Sequence, residues 1–205
     1  MKIRFRLPLI WTLTLLFLSG CAAVQNSTTN VEWQTHQQRL ASISHYQAVG
    51  KIGYISPDQR QSLNFQWKHS PQNSELRLST FLGQTVLNLS VTPKGAVVET
   101  YDDQTLTAAD ADTLIYQLTG LAIPFKDLNH WLLGEPGNVE HFTTNAHNTL
   151  ASLSKTLESR TWQLDYLNYR DEPFNGLPLP LPQKLKLQQA STKINIIVSK
   201  WTLTQ

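Results

Sequence analysis

The sequence predicts a mainly β protein with helices (α+β), in which a curved antiparallel sheet has its concave face capped by helices. Three observations predict it. Apolar and polar residues alternate with period two in short stretches along most of the chain, those stretches are separated by only a few turn residues, and helical periodicity is confined to one segment near the front and a pair in the middle. Short connectors imply antiparallel neighbours. Helices segregated from the strands imply a covering on one face of a single sheet.

The chain opens on a leader. Lys2, Arg4 and Arg6 give a basic start, and Leu7 to Leu18 form an apolar run that ends in small residues before Cys21. The run is shorter than the about 20 apolar residues needed to cross a bilayer core, so residues 1–20 read as an export signal that is removed. Leu18-Ser19-Gly20-Cys21 resembles the bacterial lipobox, in which the cysteine thiol takes a diacylglycerol and the new N-terminus is then acylated. With about 0.8 kcal/mol per buried methylene, three acyl chains hold a protein on a membrane almost permanently. Residues 21–31 are small and polar without a period, as suits a lipidated cysteine followed by a flexible tether, and residues 32–205 are expected to form one domain.

Thr29-Asn30-Val31-Glu32 fits a capping box, and Trp33, Gln37, Leu40, Ile43 and Ser44 follow at helical spacing. From Tyr46 the period is two: Val49 and Ile55, then Leu63, Phe65 and Trp67, then Leu76 and Leu78, then Leu87, Leu89 and Val91. Ser56-Pro57-Asp58, Ser70-Pro71-Gln72-Asn73, Pro93-Lys94-Gly95 and Asp102-Asp103 supply the turns. Thr107-Ala108-Ala109-Asp110 reads as a second capping box before Leu114, Ile115 and Leu118, with Gly120 as the stop. A third helix follows Pro124, carries Leu128, Trp131 and Leu132, and stops at Gly134. Strands are expected again around 139–145, 161–169, 183–190 and 194–203, the third preceded by Leu177-Pro178-Leu179-Pro180-Leu181-Pro182. No repeat of solenoid period is present. Such a sheet has two outcomes that pattern alone does not separate: solid packing under the helices, or an incomplete barrel that keeps an apolar pocket for an elongated ligand.

Composition narrows the function. The only cysteine is Cys21, so the domain has no internal disulfide. Loss of the leader takes the formal charge from +2 to −1, which does not suggest a nucleic-acid partner. There is no Gly-x-Ser-x-Gly elbow, no His-Glu-x-x-His and no glycine-rich phosphate loop, so the sequence does not support an enzyme. His141 and His147 are the closest histidine pair but fall near a strand end and an Asn-rich turn, so no metal site is expected. Asp102-Asp103 suits a turn, and Asp110 with Asp112 suits a helix N-terminus.

One anomaly stands out. Thr80-Phe81-Leu82-Gly83-Gln84 lies between two strands, where a turn should be polar. Either Phe81 and Leu82 fold back on the core, or they form an exposed hook. Each such side chain contributes about 1.5–3 kcal/mol when buried in another apolar phase, enough for reversible contact with a bilayer.

The lipobox, Trp33-Gln34-Thr35-His36-Gln37-Gln38, Tyr46-Gln47-Ala48-Val49-Gly50, Leu82-Gly83, Leu118-Thr119-Gly120-Leu121-Ala122-Ile123-Pro124, Trp131-Leu132-Leu133-Gly134-Glu135-Pro136-Gly137 and Trp201, in that order, resemble the LolB family of outer-membrane lipoprotein receptors. The resemblance implies about eleven antiparallel strands in an unclosed barrel with helices over an apolar cavity. It implies a monomer on the outer membrane, facing the periplasm. Such a protein accepts the acyl chains of lipoproteins from the soluble carrier LolA and inserts them into the inner leaflet, with no cofactor beyond its own lipid. It also implies a membrane-insertion loop at Phe81, Leu82 and Gly83, where Phe81 stands in place of a frequent proline. Ala22, rather than Asp, after the cysteine agrees with outer-membrane sorting. A reading from another class is a structural or assembly lipoprotein that docks a protein partner through the apolar turn.

The leader makes its own test. Cys21→Ala should abolish palmitate incorporation by the exported protein, and continued labelling would remove this cysteine as the acceptor.

Overall fold

The computed structural model describes residues 26–157 and 159–204, so the leader and Cys21 lie outside the described residues. Helix α1 (Trp33–Ala41) is followed by six strands, β1 (His45–Ile55), β2 (Arg60–His69), β3 (Ser74–Ser79), β4 (Thr85–Thr92), β5 (Gly95–Thr100) and β6 (Thr105–Ala108). Two helices, α2 (Ala111–Thr119) and α3 (Phe125–Leu133), precede β7 (His141–Thr144), β8 (Leu150–Leu157), β9 (Arg160–Phe174), β10 (Leu177–Gln189) and β11 (Thr192–Thr204). The strands form one antiparallel sheet in the order β6-β5-β4-β3-β2-β1-β11-β10-β9-β8-β7. Two meanders are thus joined through a single long-range pairing, β1 with β11, which runs from His45 opposite Thr204 to Ile55 opposite Lys193. The ends β6 and β7 do not pair, and the barrel stays unclosed.

Alternation decides the faces. Tyr46, Ala48, Phe65, Trp67, Leu76, Leu89, Val98, Leu164, Leu185, Ile196 and Val198 are buried on the inner face, under the helices. Gly50 sits where β1 crosses β11 at a bulge; a Cβ there would stand 1.9 Å from the Ile197 carbonyl oxygen, so only glycine fits. Antiparallel connectivity puts the β1–β2, β3–β4, β5–β6, β8–β9 and β10–β11 turns at one end of the sheet, called here the upper end. Helix α1 and the remaining turns lie at the lower end.

Several sequence expectations shift in detail. Thr29 is not the first cap: Glu32 is, its carboxylate accepting from the Gln34 and Thr35 N–H groups at 2.9 and 2.7 Å. Thr107 belongs to β6, and Asp110 caps α2 through the Thr113 N–H at 2.8 Å. Gly120 and Gly134 end α2 and α3 in the left-handed conformation, as their positions predict. Strand β8 was not expected: Leu150 and Leu153 are three apart, so its buried positions break the period of two.

The Leu-Pro run does not precede β10 but forms its first half, paired with β9 from Leu177 opposite Phe174 to Pro182 opposite Tyr169. Proline has no N–H, so a strand with proline at every second position can donate on one edge only. That edge meets β9, and β11 pairs with β10 only from Lys184 onward. The outward carbonyls of Pro178 and Pro182 accept from Arg39 Nη1 at 2.8 Å and Trp201 Nε1 at 3.3 Å. Asn175 and Gly176, both at positive φ, make the two-residue hairpin that starts the run.

The tether is bound from Ser27 onward. The Ser27 N–H donates to the Tyr169 carbonyl at 2.8 Å, and the Ser27 and Thr29 hydroxyls donate to the two oxygens of Asp171 at 2.6 and 2.7 Å. Val31 N–H meets the His147 carbonyl at 3.1 Å.

His36 on α1 is 2% exposed and neither ring nitrogen has a partner. Burial, with the Arg39 charge one turn away, holds its pKa at about 4. The imidazole is neutral in the folded protein, so below pH 6.5 the unfolded chain binds a proton that the folded one refuses. Stability should therefore fall as pH drops from 6.5 to about 4, by up to about 3 kcal/mol. His36→Leu should flatten that dependence in urea melts; an unchanged profile would assign the acid sensitivity elsewhere.

Candidate functional site

The two covering helices are held differently. Six residues of α3 are buried: Phe125, Leu128, Asn129, Trp131, Leu132 and Leu133. Phe125 stacks on Trp67 with centroids 4.6 Å apart and planes at 11°, worth about 0.5–1.5 kcal/mol beyond the area buried. The Asn129 side-chain oxygen accepts from Trp67 Nε1 at 3.0 Å and Ser74 Oγ at 3.3 Å, while its backbone carbonyl accepts from Tyr46 at 2.9 Å. Tyr166 adds a bond to the Trp131 carbonyl at 2.9 Å. Four strands thus grip one short helix. Lys155 of β8 pairs with Asp127 at 2.8 Å, and Glu135 holds His130 above its usual pKa across 2.7 Å.

Helix α2 buries only Ala111 and Leu114. It reaches the rest through Asp112, whose carboxylate accepts from the Phe125 and Lys126 N–H groups at 2.8 and 3.3 Å. Pro124, at the N-cap of α3, has no side chain able to do so, so α2 supplies the cap that α3 lacks. Burial pushes the Asp112 carboxyl up in pKa, against the pull of those two N–H groups. The connection between the helices is fixed to the sheet by Trp162 Nε1 of β9, which donates to the Ala122 carbonyl at 2.6 Å.

At the upper end the inner face is not sealed. Ile52, Tyr54, Leu78 and Leu87 of the sheet, with Ile115 and Leu118 of α2 and Ile123 beyond it, pack against the core but stay only partly buried. Beside them rises the β3–β4 loop. Phe81 is 86% exposed and Leu82 74%, so the alternative in which they fold back on the core does not hold. Thr80 N–H to the Gln84 carbonyl at 2.9 Å and Gly83 N–H to the Thr80 carbonyl at 3.0 Å close the loop. Gly83 supplies φ +86°, and Asn64 of β2 donates to the Thr80 carbonyl at 3.1 Å and steadies the root. Tyr101, in the neighbouring β5–β6 turn, is 78% exposed at the same end, with its N–H bonded to Val86. Reading for apolar residues inside polar turns would have found it, since Asp102-Asp103 follows directly.

The other groups singled out in the sequence serve structure. Asp102 accepts from Thr100 and Gln104 within its turn. His141 and His147 are exposed, and no cluster of three or more His, Cys, Asp or Glu suited to a metal occurs among the described residues. Asp112 lies in the first turn of α2, as its place after Asp110 predicts, but its bonds to α3 carry no signal in the sequence, and neither do Asn129 and Trp162, because their partners lie far along the chain.

Residues 44–201 match the family described as outer membrane lipoprotein LolB. The chain belongs to the LolB family. It is 55% identical to the outer-membrane lipoprotein LolB of Vibrio vulnificus over 97% of this chain and 99% of that one. To the LolB of Vibrio cholerae it is 53% identical over 93% of each, and to that of Pectobacterium atrosepticum 34% over 91% of each. LolB proteins are lipoproteins of the outer membrane, and so is this one. Among solved structures, a Vibrio parahaemolyticus domain named for outer membrane lipoprotein sorting shares the fold at a TM-score of 0.53 and 6% identity, over 84% of this chain and 90% of that one. A DUF1329 family protein from Desulfovibrio piger does so at 0.51 and 5%, over 83% and 92%.

The cap from α2 is directly testable. Asp112→Ala should cost about 1 kcal/mol and speed hydrogen exchange at the Phe125 and Lys126 amides, and unchanged exchange there would mean that α2 does not hold α3.

Proposed function

We propose that the protein is the outer-membrane receptor that takes lipoproteins by their acyl chains from the periplasmic carrier LolA and inserts them into the inner leaflet, itself anchored by a diacylglycerol and an acyl chain on Cys21. The observation that carries this is the pairing of an unsealed apolar mouth with an exposed Phe81-Leu82 loop at the same end of the sheet. The mouth offers chains a dry surface; the loop offers contact with a bilayer. Acyl chains worth about 0.8 kcal/mol per methylene do not cross water at useful rates, so carrier and receptor must meet mouth to mouth. Transfer then runs downhill if the receptor holds the chains better than the carrier and less well than the bilayer. No bond is made or broken, and no nucleotide, metal or enzymatic group is required. The relatives' name, outer-membrane lipoprotein, supports this setting.

Leu82→Glu separates loading from delivery. An exposed position tolerates the change within about 0.5 kcal/mol, so the melting temperature should hold and cargo should still leave a loaded carrier. A carboxylate at the loop tip opposes entry into the acyl region, so cargo should accumulate on the receptor and not reach liposomes. Cargo that never leaves the carrier, even with wild-type protein, would defeat the receptor assignment; normal delivery by the variant would defeat the role of the loop.

A further inference from the structure

The outer face of the central strands carries a charge pattern that the receptor reading does not use. Alternation places Lys51 of β1, Arg60 of β2, Lys184 of β10, and Lys193 and Lys200 of β11 on the face opposite the buried core, and all five are exposed. None of them makes an ion pair among the described residues, whereas on the same face Glu75 of β3 and Asp165 of β9 are taken by Lys68 at 3.5 Å and Lys186 at 2.9 Å, and the unpaired Glu99 lies away on β5. The register sets the rows. Lys51, Ile197 and Lys184 lie side by side across β1, β11 and β10, so two free lysines flank an isoleucine that is 41% exposed. Arg60, Ile55 and Lys193 form a parallel row at the upper end. With strands about 4.8 Å apart and about 3.4 Å per residue, the cations of a row stand about 10 Å apart and the rows about 14 Å. The spacing within a row is near one Debye length, so the fields of its cations add.

The tether ends close by. Lys184 is opposite Asn168, and the arm leaves the sheet at Tyr169 through Ser27. Cys21 stands six residues before Ser27, a reach of at most about 22 Å, so a bilayer gripped at Cys21 stays within that distance of the arm's contact with Tyr169.

We propose that the outer face of β1, β11 and β10 is a docking surface for the anionic phospholipid headgroups of the membrane that carries the anchor, with Ile197 seated between Lys51 and Lys184 at the headgroup boundary. The surface lays the sheet along the membrane, with its cations continuing through Arg60 and Lys193 toward the end that bears the Phe81-Leu82 loop. This rests on the receptor reading only through the lipid on Cys21, and the test leaves that lipid out.

The helices, strands and core of the described residues lie between Trp33 and Thr204, so a chain begun at residue 22 keeps all of them without leader or anchor. It should sediment with phosphatidylcholine vesicles containing phosphatidylglycerol, release at high salt, and ignore pure phosphatidylcholine. At about fivefold per lysine near an anionic surface, Lys51→Gln, Lys184→Gln and Lys200→Gln together should lower partitioning about a hundredfold. Lys94→Gln with Lys126→Gln, exposed cations away from this face, should change it by less than about twofold. Equal losses in both variants would reduce the effect to net charge and overturn the surface. No preference for anionic vesicles would overturn it in favour of an acidic protein partner. Cargo transfer from the carrier, scored on the same chain, fails or succeeds independently.

Discussion

The inner face of the sheet is apolar over strands from both meanders, and no pairing of strands can cover it. What covers it is α3, nine residues long, and the attachment is polar as much as apolar. Asn129 is the hub. It meets Trp67, Ser74 and Tyr46 at once, so β1, β2 and β3 are referenced to one residue, while Tyr166 brings β9 to the next turn of the same helix. Hydrogen bonds of this kind add about 1 kcal/mol each when made and cost more when a buried partner is left alone. The helix is therefore fixed in position as well as buried. Helix α2 packs beside β5 and β6 but makes no such side-chain hydrogen bonds to the sheet among the described residues, and it is tied to α3 through Asp112. The firmly held part of the cover lies over the packed interior, and α2 lies beside the inner-face residues that stay only partly buried.

Much of this was legible in the sequence because the signals were local. Strands β1 to β4 alternate cleanly, Gly120 and Gly134 stand where left-handed helix ends require them, and the apolar turn at Phe81-Leu82 announces itself against polar neighbours. Elements were missed where a local rule was bent by distant structure. β8 carries Leu150 and Leu153 out of alternation; its spacing imitates a helix turn. The Leu-Pro run looks like a strand breaker, although Asn175-Gly176 just before it is a strong hairpin signal that should have extended the strand. The capping boxes were placed one motif too early, because Glu32 and Asp110 act as the caps themselves. The number of strands came from the family resemblance, not from periodicity. The cover's fastenings were unreadable: Tyr46 and Asn129 are 83 positions apart, and Trp162 and Ala122 are 40.

The sheet is also polarised in charge. Over its central strands, ion pairs take Glu75 and Asp165 of the outer face and several lysines are left facing solvent, while Asp110, Asp112 and Asp127 gather about the helices of the opposite side. A net charge near neutral hides this separation. Composition excluded a nucleic-acid partner on that net value, and only the register of the strands shows that unpaired cations gather on the outer face of the central strands.

The Leu-Pro half of β10 bears on how such an open sheet avoids unwanted growth. An unpaired strand edge ordinarily invites another chain to add to it, and an incomplete barrel has more exposed edge than a closed one. Here the donors were deleted when the chain was synthesised, and two of the remaining acceptors are already engaged by Arg39 and Trp201. Along the Leu-Pro half of β10, where β11 does not pair with it, the seam lacks the donors needed to zip shut. Its openness is written into covalent structure, so heating or ligand load cannot anneal it away.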